Sequence, residues 1–123
     1  MRRYLDKSEV ISYLNLNKSI EIFLGRIRDD KEIISYLILT KNIDDLIETK
    51  LFDHYDEGDL NYTDIYDFSY VDPDMNFETN TFESIDQCVE FIQTKFHINH
   101  IRFVNEGISQ DEYADFIRNE GLS

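Results

Sequence analysis

Lys31-Glu-Ile-Ile-Ser-Tyr-Leu-Ile-Leu-Thr40 carries apolar side chains at both parities, with Ile33, Leu37 and Leu39 on one side and Ile34, Tyr36 and Ile38 on the other. A strand apolar on both sides is one whose sheet is covered on both faces, so this run is expected to be the central strand. Ahead of it, Ser19 to Arg28 is a second β-rich run in which Ile20, Ile22 and Leu24 oppose Phe23 and Ile27. Gly25 within that run marks a bulge or a point of close packing. Asp29-Asp30, between the two runs, reads as a hairpin connection. The expected class is α+β: a single domain with a mainly antiparallel sheet of three to five strands, packed against about three to four short helices.

Outward from this pair, three helix starts can be read. Leu5-Asp6-Lys7-Ser8-Glu9-Val10 offers Asp6 as a cap and Glu9 as its reciprocal partner, with Val10, Ile11 and Leu14 on one face. Ser84 with Gln87 repeats the pattern, and Ile85, Cys88, Val89, Ile92 and Phe96 then fall at helical spacing. Ile108 to Tyr113 holds a third box, Ser109 with Glu112, before a helix that buries Tyr113, Phe116 and Ile117 and ends at Gly121 in a left-handed cap. The helices from Ser84 and Ser109 are expected to cover the sheet on at least one face.

The middle of the chain is read as follows. Asn42 caps a short helix through Ile43, Leu46, Ile47 and Leu51, with Asp44 and Asp45 at its positive end. Phe52 to Leu60 is a loop, Asn61 to Val71 a strand with a largely aromatic face, and Asp72-Pro73-Asp74 a turn. Asn76 to Phe82 returns as an edge strand, and Asn99 to Val104 forms a short strand before a turn at Glu106-Gly107.

Composition bounds the chemistry. The chain has 123 residues, about one domain, with 12 Lys and Arg against 26 Asp and Glu, a net charge of −14. Nucleic acids and anionic membranes would repel such a surface, because binding to phosphates needs cations that displace counterions. A basic protein partner is favoured instead, through association that weakens with salt. Cys88 is alone, and the start Met-Arg-Arg-Tyr-Leu-Asp-Lys is not followed by an apolar run, so a reducing, cytoplasmic setting is expected.

Acid is concentrated between Asp44 and Asp74, where eleven carboxylates stand against the single base Lys50. Asp53 to Asp64 can be laid over a calcium loop with Gly58 at its sixth position, which places Asp53, Glu57, Asp59, Asn61 and Asp64 on ligand positions. Tyr55 stands where a carboxylate is wanted, and Asp64 is short for the final bidentate ligand. His97 and His100 lie three apart across a predicted helix end and His54 sits apart in the acidic loop, while Cys88 lies among apolar helix positions, so no zinc centre is expected. No phosphate loop, dinucleotide fingerprint or nucleophile elbow is present. The expectation is a non-enzyme without metal or cofactor.

What remains is acid interleaved with tyrosine, a composition suited to a protein interface. The candidate partner-binding residues are Asp53, Tyr55, Asp56, Glu57, Asp59, Tyr62, Asp64, Tyr66 and Asp67. For Tyr66, Phe68 and Tyr70 the alternative is that they pack the core beneath a helix.

With its size, its α+β pattern, its lack of a catalytic motif and its acidic aromatic segment Asp53 to Asp74, the chain resembles the small immunity proteins of bacterial contact-dependent inhibition and other polymorphic-toxin systems. The resemblance is one of general character and carries no residue role across. It implies a protein that binds a toxin domain, often a cationic nuclease, and covers its active site or nucleic-acid surface. A phage-encoded nucleic-acid mimic directed at a defence nuclease, and a calcium or small-ligand module built on residues 53–64, are the alternatives.

Overall fold

A computed structural model describes residues 3–28, 32–72 and 77–122. The elements run α1 (Lys7–Asn15), β1 (Ile20–Gly25), β2 (Ile33–Lys41), β3 (Ile47–Tyr55), a 3-10 turn (Ile65–Asp67), β4 (Glu78–Phe82), α2 (Ile85–Phe96), β5 (Val104–Asn105) and α3 (Ser109–Leu122). All five strands join one antiparallel sheet in the order β4-β3-β2-β1-β5, so β2 is central, as its two-sided apolar pattern requires. The class is α+β.

Each face of β2 has its own cover. Leu37 and Leu39 pack with Ile20, Ile22 and Leu51 against Val10 and Leu14 of α1 and Cys88 and Ile92 of α2. Ile34 and Tyr36 point the other way, into a cluster with Ile65, Phe68 and Tyr113 of α3. The helices from Ser84 and Ser109 therefore cover opposite faces.

Local signals account for the ends of several elements. Asp6 and Glu9 form the reciprocal capping box that starts α1. Ser84 accepts from the Gln87 backbone, while the Gln87 side chain reaches the backbone of Glu83 and not that of Ser84. The strand register slips between Phe23 and Gly25, with Gly25 at φ +74°. A β-carbon there would lie 3.1 Å from the Phe116 ring, so Gly25 serves both the bulge and the close packing expected of it.

Four expectations need correction. Residues 42–51 are not a helix. Asn42 accepts from the backbones of Asp44 and Leu46 in a tight turn, Asp45 takes a positive φ, and Ile47 opens β3. Ile47, Thr49 and Leu51 are buried at period two, so strand periodicity and β-branching outweigh the three-four spacing that suggested a helix. The predicted loop at Phe52 consequently begins only after Tyr55.

Residues 61–71 are not a strand: Asp59 and Tyr62 close a turn, a 3-10 turn follows, and only Tyr70 bridges to His54, beyond the end of β4. Ile65 and Phe68, three apart, supply its buried anchors, which is a turn's spacing and not a strand's. The third capping box does not form. Glu112 pairs with Arg3, and Ser109 Oγ, wholly buried beside the Tyr66 hydroxyl, has no hydrogen-bond partner of ordinary geometry.

Two boundaries also move. α3 runs through Gly121 to Leu122, so Gly121 is not a left-handed cap, and β5 is limited to two residues, with Phe103 bridging to Leu5. The expected turns at Asp29-Asp30 and Pro73-Asp74, and the expected strand start at Asn76, lie outside the described residues.

Candidate functional site

The acidic segment leaves β3 at Tyr55 and folds back over the Tyr36 face of the sheet. Three contacts fix its base. The Tyr55 N–H donates to the carbonyl of Ser69 (2.9 Å), the Val71 N–H to that of Asp53 (3.2 Å) and the Asp56 N–H to that of Glu32 (2.6 Å). Below them His54, wholly buried, uses both ring nitrogens: Nδ1 lies 2.9 Å from the Phe68 carbonyl and Nε2 3.1 Å from the Tyr36 hydroxyl. Because a carbonyl only accepts, Nδ1 carries the proton and Nε2 accepts from Tyr36. Burial lowers the pKa of His54 from its ordinary value, which keeps this neutral tautomer.

Gly58 explains why the loop can lie so close. A β-carbon there would sit 2.3 Å from the Tyr62 carbonyl oxygen, 2.4 Å from Phe68 Cζ and 2.8 Å from the Tyr113 hydroxyl. Close approach, not a metal loop's sharp turn, is the role of this glycine.

The nine candidate residues divide into two groups. Asp53, Asp56 and Tyr66 turn inward. Asp53 is held by Arg28 (2.9 Å) and the Ser35 hydroxyl, and Asp56 by Arg26 (2.7 Å) and the Tyr113 hydroxyl (2.5 Å). Tyr66 donates to Glu21 (2.5 Å), a buried carboxylate that also accepts from the Gly107 N–H (3.0 Å). Burial first, and then the donated bond to a carboxylate, raise the pKa of both Tyr66 and Tyr113, so each remains a protonated donor. The core reading thus holds for Tyr66 and Phe68, and the Tyr70 ring lies tilted against His54 at 4.5 Å.

Tyr55, Glu57, Asp59, Tyr62, Asp64 and Asp67 remain at the surface. Tyr55 is 41 % exposed, Tyr62 39 %, and Leu60 between them 56 %. Glu57 accepts from the backbone and hydroxyl of Ser69, and Asp59 from the Asn61 N–H, which stiffens the loop without supplying a counter-charge. Tyr62 donates to Asp67 (2.7 Å), and that bond, ahead of the neighbouring carboxylates, pushes its hydroxyl up to about 12. Among the described residues none of Glu57, Asp59, Asp64 and Asp67 forms an ion pair, whereas Asp53 and Asp56 at the start of the segment do. The segment therefore presents four carboxylates without ion pairs together with exposed aromatic and aliphatic side chains.

This division also bears on the calcium alignment. Asp53 and Glu57 have internal partners, and among the described residues no group of three or more His, Cys, Asp or Glu side chains is arranged to hold a metal ion. Leu60 was missing from the candidate residues; an isolated leucine among acids on an irregular turn carries no periodic signal. Glu112, hidden in the sequence as a capping residue, is instead the centre of a charged cluster with Arg3, Tyr4 and Arg102.

Compared with protein-family models, with curated proteins and with solved structures, the chain matches none of them. Among the described residues no helix is long and apolar enough to cross a membrane.

Proposed function

We propose that this chain is an immunity or inhibitor protein that binds a cationic protein partner, a nuclease toxin in the leading reading, and covers its active site or nucleic-acid surface. It acts by stoichiometric binding and not by catalysis, in the cytoplasm where such a toxin would do its damage. The observation that carries this reading is the exposed surface of residues 55–67. Among the described residues Glu57, Asp59, Asp64 and Asp67 form no ion pair there, and Tyr55, Leu60 and Tyr62 are exposed in the same segment.

Physical reasons support this use. An interface needs a desolvated anchor and a rim that steers approach; aromatic side chains supply the first and unpaired carboxylates the second. Carboxylates fixed by backbone N–H groups and hydroxyls lose little further freedom on binding, which lowers the entropic cost of association. A nuclease cleft lined with Lys and Arg to receive phosphates would accept such a surface in their place.

The test is charge reversal of the outward group alone. The Glu57→Lys, Asp59→Lys, Asp64→Lys, Asp67→Lys variant should keep the wild-type circular dichroism and a cooperative melt, lowered by no more than the loss of exposed loop bonds, and lose capture of the basic partner that the wild type retains from its source cell. In the wild type, affinity should fall as salt rises. Unchanged capture by the reversed variant would rule the reading out.

A further inference from the structure

On the side of α3 away from the acidic loop lies a cleft of about 240 Å³, lined by Tyr4, Phe23, Arg102, Phe116, Arg118 and Asn119 with Glu112 and Asp115. Its volume corresponds to about eight waters at ~30 Å³ each, just below the usual range of small-molecule pockets. The charges in it are arranged unequally. Arg3, beside the cleft, bonds Glu112 (2.8 Å) and Asp115 (2.5 Å), and the Tyr4 hydroxyl also donates to Glu112 (2.9 Å), so both carboxylates have partners. The lining guanidiniums are engaged less fully, each by a single carboxylate oxygen.

Arg102 lies over the Tyr4 ring at 5.7 Å, and its closest carboxylate approach, Nε to Glu112, is 3.6 Å, beyond a hydrogen bond. Arg118 makes one bond, to Asp115 (3.1 Å). The lining pairs two guanidiniums with two carboxylates, and Arg3 just outside it brings the cluster to three against two within a chain of net charge −14. Beside them Phe23 and Phe116 meet edge-on at 5.6 Å and give the cleft an aromatic lining.

The geometry points to a binding site for a small aromatic monocarboxylate, its carboxylate taken by the planar donors of Arg102 and Arg118 and its ring by Phe23 and Phe116. Guanidinium forks match carboxylate oxygens two at a time, which a single ammonium does not. A bulkier or doubly charged anion fits less well, because the volume is small and the surplus is a single charge.

Phenylacetate is the probe, with its neutral isostere phenylacetamide and inorganic phosphate as comparisons, followed by amide NMR titration of the whole chain. Phenylacetate should give saturable shifts at the amides of residues 102, 116 and 118, with phenylacetamide at least about tenfold weaker, the loss expected of a charge-assisted pair. The Arg102→Gln, Arg118→Gln variant should lose about as much while keeping the wild-type melting temperature, since both side chains are exposed. If that variant melts lower, the comparison of the acid with its amide on the wild type decides alone. Absence of saturation with phenylacetate, equal binding of phenylacetamide, or phosphate binding as tightly as phenylacetate would each overturn the assignment.

Discussion

The two faces of β2 are built from different chemistry. Against α1 and α2 the contacts are mainly aliphatic, with Leu37, Leu39, Ile20, Ile22, Val10, Leu14 and Ile92 interlocking, Phe103 beside them and the Phe82 and Phe91 rings at the margin. Cys88 belongs to this face as a small hydrophobe, and burial pushes its thiol up to about 12. Against α3 and residues 56–71 the contacts are rings and hydrogen bonds, in which Tyr36, His54, Tyr66 and Tyr113 each engage a fixed polar partner. Aliphatic packing holds helices, which satisfy their own backbones. An irregular segment has unsatisfied backbone groups and needs side-chain partners, so the face that presents the candidate interface is also the polar one.

The comparison can be broken on a single strand. Leu39→Ala, on the aliphatic face, should cost about 2–5 kcal/mol by urea denaturation, because it opens a cavity that rigid neighbours cannot fill. It should leave partner affinity unchanged once the protein is folded. Gly58→Ala, under the loop, should cost about 3 kcal/mol by forcing the Tyr62 carbonyl, Phe68 and Tyr113 apart. Here hydrogen exchange should rise selectively at residues 56–71, and partner binding should weaken with it.

Tyr36→Phe lies on the same strand as Leu39 but faces the other way. It removes only the hydroxyl that donates to His54 and should cost about 1–2 kcal/mol, the penalty of a buried acceptor left unpaired. The smallest effect is that of pH. The folded pKa of His54 is lowered by burial, so the unfolded chain takes up a proton first as pH falls below about 6.5. The neutral form's contribution is fully present above that value and declines below it, down toward the lower folded pKa. Tyr36, Tyr70, Asp53 and Glu57 are the titratable neighbours, and both carboxylates moderate the shift. Urea midpoints measured between pH 7 and pH 5.5 should fall for the wild type and fall less for His54→Phe.

The parts of the fold that could be read from the chain were those whose signal is local and periodic. The capping box at Asp6, the apolar stripe of α2, the bulge at Gly25 and the two-sided pattern of β2 each follow from a spacing of side chains and nothing else. Residues 42–51 were misread because Ile43, Leu46 and Ile47 mimic a helical stripe, while the pairing of Ile47, Thr49 and Leu51 with β2 is a long-range event. Residues 61–71 were misread for the opposite reason, since aromatic alternation suggested a strand in a segment that Ile65 and Phe68 fold into a turn.

The candidate site shows the same limit. Acid and tyrosine density singled out residues 53–67, yet Asp53, Asp56 and Tyr66 could not be separated from Glu57, Asp59 and Tyr62 along the chain. Their inward partners, Arg28, Arg26 and Glu21, lie 25, 30 and 45 positions away.

By itself the sequence determined the α+β class, the central place of β2, the existence of helices near 7–15, 85–96 and 110–119, and a strongly acidic character, because periodicity and charge are properties of neighbouring residues. Tertiary structure alone decided which carboxylates of the Asp44 to Asp72 stretch are neutralised and which stand free of ion pairs. Ion pairs, a buried histidine and a glycine under two rings bring together residues far apart in the chain, and only the closed fold sets those distances.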